Sequence, residues 1–333
     1  MNKLIIAATQ YGLADLSSEE QFWSRIADKA REAAAQGAGM IVFPEYTTAH
    51  LLSLLPPMTH DEACAYLDGK TDEYMRFFGE LSRENGLAIL AGTHVCRRDR
   101  AEGGGDVGLA GGTGETGNTE GAGDNGAAGE DLKGFANRAF LFFPDGRVEE
   151  QSKIHLTPEE QRQWPLASGD DLNVFDTQWG RMAILTCYDI EFPELARAAA
   201  LRGAETILCP SYTESAHGYH RVRFCAQARA VENQLFVVLS GLVGTLSEER
   251  PQVDTGYSQA GVFAPCDFPF APDGVLAAGE TNADAAVLAD LDYGMLRENR
   301  AGGAVAPFYD RRPELYEREL KRTDGLRRLT PRA

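Results

Sequence analysis

Two short runs, Met40-Ile41-Val42-Phe43 and Met182-Ala183-Ile184-Leu185, are apolar at every position. A strand with one wet face alternates apolar and polar residues, so a run without alternation must be covered on both faces. Between such runs lie stretches of helical period. Ser18 is placed to cap a helix, with Glu19 and Glu20 in its first turn. Phe22, Ile26, Ala30, Ala33 and Ala34 then recur at helical spacing until Gly37 and Gly39 end it. Lys3–Ala8, 87–93, 139–143, 206–208 and 235–239 read as further strands, and Phe192–Arg202 and Arg221–Asn233 as further helices. Pro144-Asp145-Gly146 is a turn leading into a strand at Arg147–Gln151. Strand–helix alternation predicts an α/β fold with helix-covered sheets. The 333 residues, 43% hydrophobic, suffice for one large domain or two smaller ones.

Composition removes several classes. A net charge of −18 repels phosphate backbones, so no nucleic-acid partner is expected. No run of about 18 apolar residues is present, so no membrane span is expected. The apolar start Leu4-Ile5-Ile6-Ala7-Ala8 turns polar at Thr9-Gln10, which fits a first strand better than a signal peptide and points to a cytoplasmic protein. The six cysteines form no CxxC pair, which argues against zinc and for a reduced compartment. Residues 101–130 hold twelve glycines and six acids with no Lys or Arg. A stretch so poor in apolar surface cannot offset its ordering entropy, so about 101–134 is expected to be a flexible insertion within the domain.

Reactive residues in α/β folds sit at the carboxyl ends of strands. Three strand ends qualify here. Cys187 follows Met182–Thr186 and precedes a helix starting near Pro193. A tight strand-to-helix turn would hold its sulfur near backbone N–H groups, which favour a thiolate and an oxyanion; the alternative is a small buried hydrophobe. A nucleophilic thiol needs a base. His155 is the best-placed histidine, while His217 and His220 read as loop residues. Glu45 closes Ile41-Val42-Phe43-Pro44, and burial would raise its pKa toward that of a working base. Lys153 ends the strand before Ile154-His155-Leu156 and would stabilise an oxyanion, with Glu159 and Glu160 close enough in sequence to hold it charged.

Phe43-Pro44-Glu45, Lys153-Ile154-His155-Leu156 and Thr186-Cys187-Tyr188-Asp189, followed by Phe192-Pro193-Glu194, occur in the order found in the nitrilase superfamily of carbon–nitrogen hydrolases. Arg229-Ala230-Val231-Glu232-Asn233-Gln234 resembles that family's arginine–glutamate–asparagine helix. The resemblance runs from residue 3 to about 295. It implies a four-layer α-β-β-α sandwich over residues 1–300, with 301–333 as a C-terminal extension, and usually a homodimer or higher homo-oligomer. It implies Glu45 as general base, Lys153 as oxyanion stabiliser and Cys187 as nucleophile. The Tyr188 backbone N–H would join the oxyanion hole. Glu160 would be the second glutamate, since it follows Pro158 by two residues, with Glu159 as the alternative register. No metal or organic cofactor is implied.

The implied activity is hydrolysis of a small amide through a thioester, releasing ammonia or an amine. Nitriles, N-carbamoyl amines and acyl transfer to an amine use the same residues, and a non-catalytic scaffold is the reading from another class. Relatives acting on ω-amides of dicarboxylic acids often carry arginine two residues after the aspartate of the nucleophile segment. Glu191 stands there in this chain, which points to a neutral or amine-bearing substrate. The sequence also resembles a subgroup sometimes fused to an N-acetyltransferase domain.

Overall fold

The computed structural model describes residues 3–98 and 134–322. In chain order the strands are β1 (Lys3–Leu13), β2 (Met40–Val42), β3 (Ala88–Arg97), β4 (Phe135–Phe142), β5 (Val148–Ser152), β6 (Val174–Asp176), β7 (Arg181–Ile184), β8 (Thr206–Ser211), β9 (Phe236–Thr245), β10 (Thr255–Gly256), β11 (Gly261–Phe263), β12 (Val275–Ala278) and β13 (Ala285–Asp292). The helices are α1 (Glu19–Ala35), α2 (His60–Gly69), α3 (Thr71–Asn85), α4 (Pro158–Gln163), α5 (Pro193–Leu201), α6 (Ala216–Asn233), α7 (Tyr293–Gly302) and α8 (Pro313–Arg322). Two 3-10 helices, Thr47–Leu54 and Cys187–Glu191, complete the set.

The strands form two halves. One runs β13-β1-β2-β3-β4-β5 and the other β6-β7-β8-β9-β11-β12. They join where the end of β1 pairs in parallel with β9, Gln10↔Gly241 through Leu13↔Gly244. Side chains alternate between faces, and the core divides accordingly. Met40, Val42, Leu90, Leu141, Met182, Ile184, Leu208 and Val238 fill the space between the halves. Ile41, Phe43 and Ile89 face α1 and α3, against Phe22, Ile26 and Phe78. Ile207, Cys209, Val237 and Leu239 face α5 and α6, against Ala196, Val222, Ala226 and Ala230. Each run without alternation thus feeds two apolar layers, and the result is the α-β-β-α sandwich expected from the sequence. Each large apolar side chain buried in these layers contributes roughly 1.5–3 kcal/mol.

Several boundaries differ from expectation. β1 continues past the polar Thr9-Gln10 to Leu13 because the donors of those side chains find partners inside the fold. The Thr9 hydroxyl donates to the Val42 carbonyl at 2.9 Å, and the Gln10 amide donates to the Glu280 and Ala283 carbonyls at 2.8 Å. α6 starts at Ala216, where Ser215 accepts from the Gly218 N–H, so His217 and His220 lie on a helix rather than in a loop. The C-terminal extension carries α8, none of whose residues is buried, while Phe308 packs against the α5–α6 layer. Residues 101–133 of the expected insertion lie outside the described residues. Its flanks are joined: Arg97 pairs with Phe135 across β3 and β4, and the Arg98 N–H donates to the Gly134 carbonyl at 3.1 Å. No helix among the described residues is long and apolar enough to cross a membrane.

Gly92 shows how tightly the sheet is built around the end of β2. Its φ is +69°, and a Cβ there would stand 2.0 Å from the Pro44 carbonyl oxygen, next to Glu45. Gly86, after α3, has φ +60° but open space around it. Gly86→Ala is therefore expected to cost about 1–2 kcal/mol, the left-handed penalty alone. Gly92→Ala adds a backbone clash and is expected to cost on the order of 3 kcal/mol or more. Urea unfolding of both variants measures the difference.

Candidate active site

β1, β2, β3 and β5 point one way in their half, and β7, β8 and β9 are mutually parallel in theirs. Since β1 and β9 pair in parallel, the carboxyl ends of all seven strands reach the same rim. Glu45, Lys153 and Cys187 follow three of those ends. Glu45 is held by its backbone neighbours. The Phe43 N–H donates to the Leu90 carbonyl at 2.8 Å, and the Ser240 hydroxyl donates to the Phe43 carbonyl at 3.1 Å. Tyr46, the next residue, takes φ 56°, and its N–H donates to the Thr93 hydroxyl at 2.8 Å. Lys153 donates its N–H to the Asn137 carbonyl at 2.9 Å.

Cys187 opens its 3-10 helix with φ 48°. A left-handed backbone at a non-glycine residue costs roughly 1–3 kcal/mol and persists only where neighbours enforce it. Two side chains do so. Buried Asp189 accepts the His155 N–H at 2.7 Å and the Ile154 N–H at 3.3 Å, tying the Cys187 turn to the lysine loop. Arg229 of α6 donates to the Ile190 and Glu191 carbonyls at 3.0 and 2.9 Å, satisfying the far end of the turn. This is the structural work of the arginine in the Arg229–Asn233 segment.

The three side chains meet in one pocket of about 370 Å³. The Lys153 Nζ lies 2.7 Å from Glu45 Oε1 and 2.9 and 2.8 Å from the two Glu160 oxygens, and all three residues are buried. Burial alone would lower the Lys153 pKa, but Glu160 and Glu45 outweigh it and hold the ammonium well above its ordinary range. Glu160 is pulled below the usual carboxylate range: burial opposes, and Lys153, the Tyr46 hydroxyl and the Thr157 N–H prevail. Glu45 moves the other way. Burial raises it, and the Lys153 charge offsets this only in part. Burial and the Glu45 charge also push the Cys187 thiol up, against the Lys153 charge. The pair Glu45–Cys187 is thus set to keep a proton near neutrality, beside a permanent cation. The Cys187 thiol donates to the Tyr212 carbonyl at 3.3 Å. Tyr188 lines the pocket in the first turn after the nucleophile, where helix N–H groups have no intrahelical partner.

The two candidate glutamates sit in different surroundings. Glu160 is buried at N3 of α4 and accepts from the Thr157 N–H at 2.7 Å, while Thr157 accepts from the Glu160 N–H at 3.2 Å. This capping box fixes the carboxylate over Lys153. Glu159 is exposed at the pocket mouth. The signal was present in the spacing Thr157-x-x-Glu160. His155 is turned to Asp189, Nδ1 to Oδ1 at 3.1 Å, and stacks on Phe192 at 3.6 Å. Glu191 lines the pocket as its position suggested, but Arg221 pairs with it at 2.8 Å. Sequence reasoning missed Asn137 and Tyr46. The Asn137 amide donates to Glu45 Oε1 at 3.0 Å, and the Tyr46 hydroxyl donates to Glu160 Oε1 at 2.6 Å. The Tyr212 N–H completes the set at 3.0 Å from Glu45 Oε2. None of the six cysteines forms a disulfide. Among the described residues no group of three or more His, Cys, Asp or Glu has the arrangement of a metal site.

Residues 5–300 match the family model described as carbon-nitrogen hydrolase. The chain belongs to the carbon–nitrogen hydrolase family. A probable hydrolase of Bacillus subtilis, YhcX, is 36% identical over 317 residues, covering 95% of this chain and 55% of that protein. This chain therefore spans about half the length of that relative. An omega-amidase of Bos taurus is 29% identical over 195 residues, covering 56% of this chain and 66% of the relative. Among solved structures, a carbon–nitrogen hydrolase from Helicobacter pylori superposes with a TM-score of 0.71 at 19% identity, covering 96% of this chain and 99% of that one. An amidase from Nesterenkonia gives 0.64 at 22% identity, covering 95% and 96%. These two likenesses carry the fold, and with the family match they bear out the nitrilase-superfamily resemblance.

For this carbon–nitrogen hydrolase the two glutamates make separable predictions. Glu160→Gln leaves Lys153 with one carboxylate and is expected to cost about 3–5 kcal/mol of stability. Glu159→Gln is expected to stay within about 0.5 kcal/mol of the parent. The Glu160 contribution is full above the ordinary carboxylate range and is lost as pH falls through its lowered pKa, since the unfolded chain then binds the extra proton. Urea unfolding across acidic pH should show this slope in the parent and its loss in Glu160→Gln.

Proposed function

We propose that this protein is a thiol hydrolase that cleaves the carbon–nitrogen bond of a small amide through a Cys187 thioester. The observation that carries the reading is the meeting of Glu45, Lys153 and Cys187 in one pocket, with Lys153 Nζ 2.7 Å from Glu45. Glu45 takes the thiol proton as the sulfur bonds to the carbonyl carbon. The carbonyl oxygen gains the negative charge, and Lys153 and the Tyr188 N–H hold it. Collapse breaks the carbon–nitrogen bond, and Glu45 returns its proton to the departing nitrogen. A water then loses a proton to Glu45 and attacks the thioester. The acid leaves, and the sulfur recovers the proton. A carboxylate raised by burial suits a group that must both accept and give back a proton. Glu160 acts through Lys153, keeping it charged and aimed.

Ammonia release from short amides, ω-amides, carbamoylated amines and nitriles tests this. The expected result is release from amides with an acyl mass on Cys187, and a loss of at least about 10³-fold in kcat for Cys187→Ala. Release from nitriles alone would make it a nitrilase. An acyl-enzyme that turns over only with added amine would make it an acyltransferase. No release and no adduct would overturn the catalytic reading.

We also propose that the chain forms a homodimer through its α5–α6 layer, where Phe224, Val231 and Leu201 are exposed at 63%, 38% and 60%. Single exposed apolar residues are ordinary, whereas Phe224 and Val231 share one face of α6 at seven-residue spacing. Sedimentation equilibrium should give a dimer for the parent and a folded monomer for Phe224→Asp.

A further inference from the structure

We propose that the pocket selects amides carrying a protonated amine beyond the acyl carbon. This rests on the amide-hydrolase reading and deepens it. The rim is acidic in a particular way. Three carboxylates, Glu159, Glu191 and Glu214, line the pocket with two arginines, Arg162 and Arg221. The Arg221–Glu191 pair, at 2.8 Å, cancels one charge of each sign. Glu159 and Glu214 form no ion pair at salt-bridge distance among the described residues. They lie close enough that burial and the Glu214 charge together raise the Glu159 pKa, with Arg162 opposing. Glu214 accepts only the neutral Tyr212 hydroxyl, at 3.2 Å. With Arg162 set against one of them, the rim keeps one carboxylate in excess, and a bound cation would relieve it.

A second observation comes from the pocket wall. Gln252 lines the pocket and is only 4% exposed. Its amide nitrogen donates to the Met58 carbonyl at 3.0 Å, and its amide oxygen accepts no hydrogen bond among the described residues. That oxygen is an acceptor that a ligand N–H can use. Part of the remaining wall is aromatic. Tyr46 stacks on Trp164 with centroids 5.1 Å apart, and Tyr212 stands edge-on to Tyr46 at 6.1 Å. Aromatic rings shield a methylene spacer and attract a cation through their faces. Acceptors without donors, an excess of carboxylate and an aromatic lining describe one ligand chemistry: a primary ammonium on a short alkyl chain. The catalytic group supports it, since Glu45 and Glu160 outnumber Lys153. The cations that a substrate carboxylate would meet are Arg162, the already paired Arg221, and Lys153, which Glu45 and Glu160 already hold.

Three amides of matched length test the inference: 5-aminopentanamide, pentanamide and glutaramate. Cys187→Ala is titrated calorimetrically with each, and the parent is assayed for ammonia release from each. The ammonium amide is expected to bind and react at least about tenfold better than the neutral one. Its advantage should shrink with added salt, because the rim is partly solvated. Glu159→Gln and Glu214→Gln should each narrow the ammonium-to-neutral ratio severalfold. Equal binding of all three amides, or preference for glutaramate, would overturn the inference while leaving amide hydrolysis standing. Release from none of them, with selective binding of the ammonium amide to Cys187→Ala, would overturn the hydrolase reading and uphold the charge preference.

Discussion

One ammonium, sealed among carboxylates, organises this molecule. Removing Lys153 from water costs several kcal/mol, and only two close carboxylates make that tolerable. Glu45 and Glu160 must therefore arrive from distant parts of the chain and stop within hydrogen-bond distance of one nitrogen. The same contact sets the chemistry. It leaves Glu160 ionised as a fixed counter-charge, and Glu45 as the carboxylate whose proton affinity burial has raised. One cation divides two like groups into one held ionised and one whose proton affinity is raised.

The sandwich exists, in this sense, to deliver strand ends. Parallel pairing of β1 with β9 brings the carboxyl ends of both halves to one rim. Backbone that would otherwise relax is then pinned: Tyr46 and Cys187 both adopt left-handed conformations, one next to Glu45 and one at the start of its 3-10 turn. Asp189 and Arg229 touch neither Glu45 nor Lys153, yet they fix the turn on which the sulfur stands. The stored strain is small beside the packing of the two apolar layers that flank it.

Most of this architecture was legible in the sequence, and the exceptions are instructive. Runs such as Met40–Phe43 announced strands covered on both sides, and Glu45, Lys153 and Cys187 stood out because a reactive residue ended each run. Periodicity failed where polar side chains were satisfied at long range. Thr9 and Gln10 looked like a strand end because their partners, Val42, Glu280 and Ala283, are remote in sequence. Asn137 was hidden for the same reason: a lone amide inside a strand carries no local pattern, and only tertiary folding sets it against Glu45. Glu191 shows the opposite limit. Its place in the pocket could be read, but its pairing with Arg221 depends on how α6 packs.

The junction of β3 and β4 has a consequence for how such a chain can change. Arg97 faces Phe135, and Arg98 meets Gly134, so β3 and β4 stay joined up to the last described residue on each side. Closing a longer excursion between fixed ends costs only about 0.6 kcal/mol per doubling of its length. A change in the length of chain joining these two fixed ends can therefore leave the described registers of the sandwich the same. The hairpin is a port through which sequence can be added without a toll on the strands that carry the chemistry.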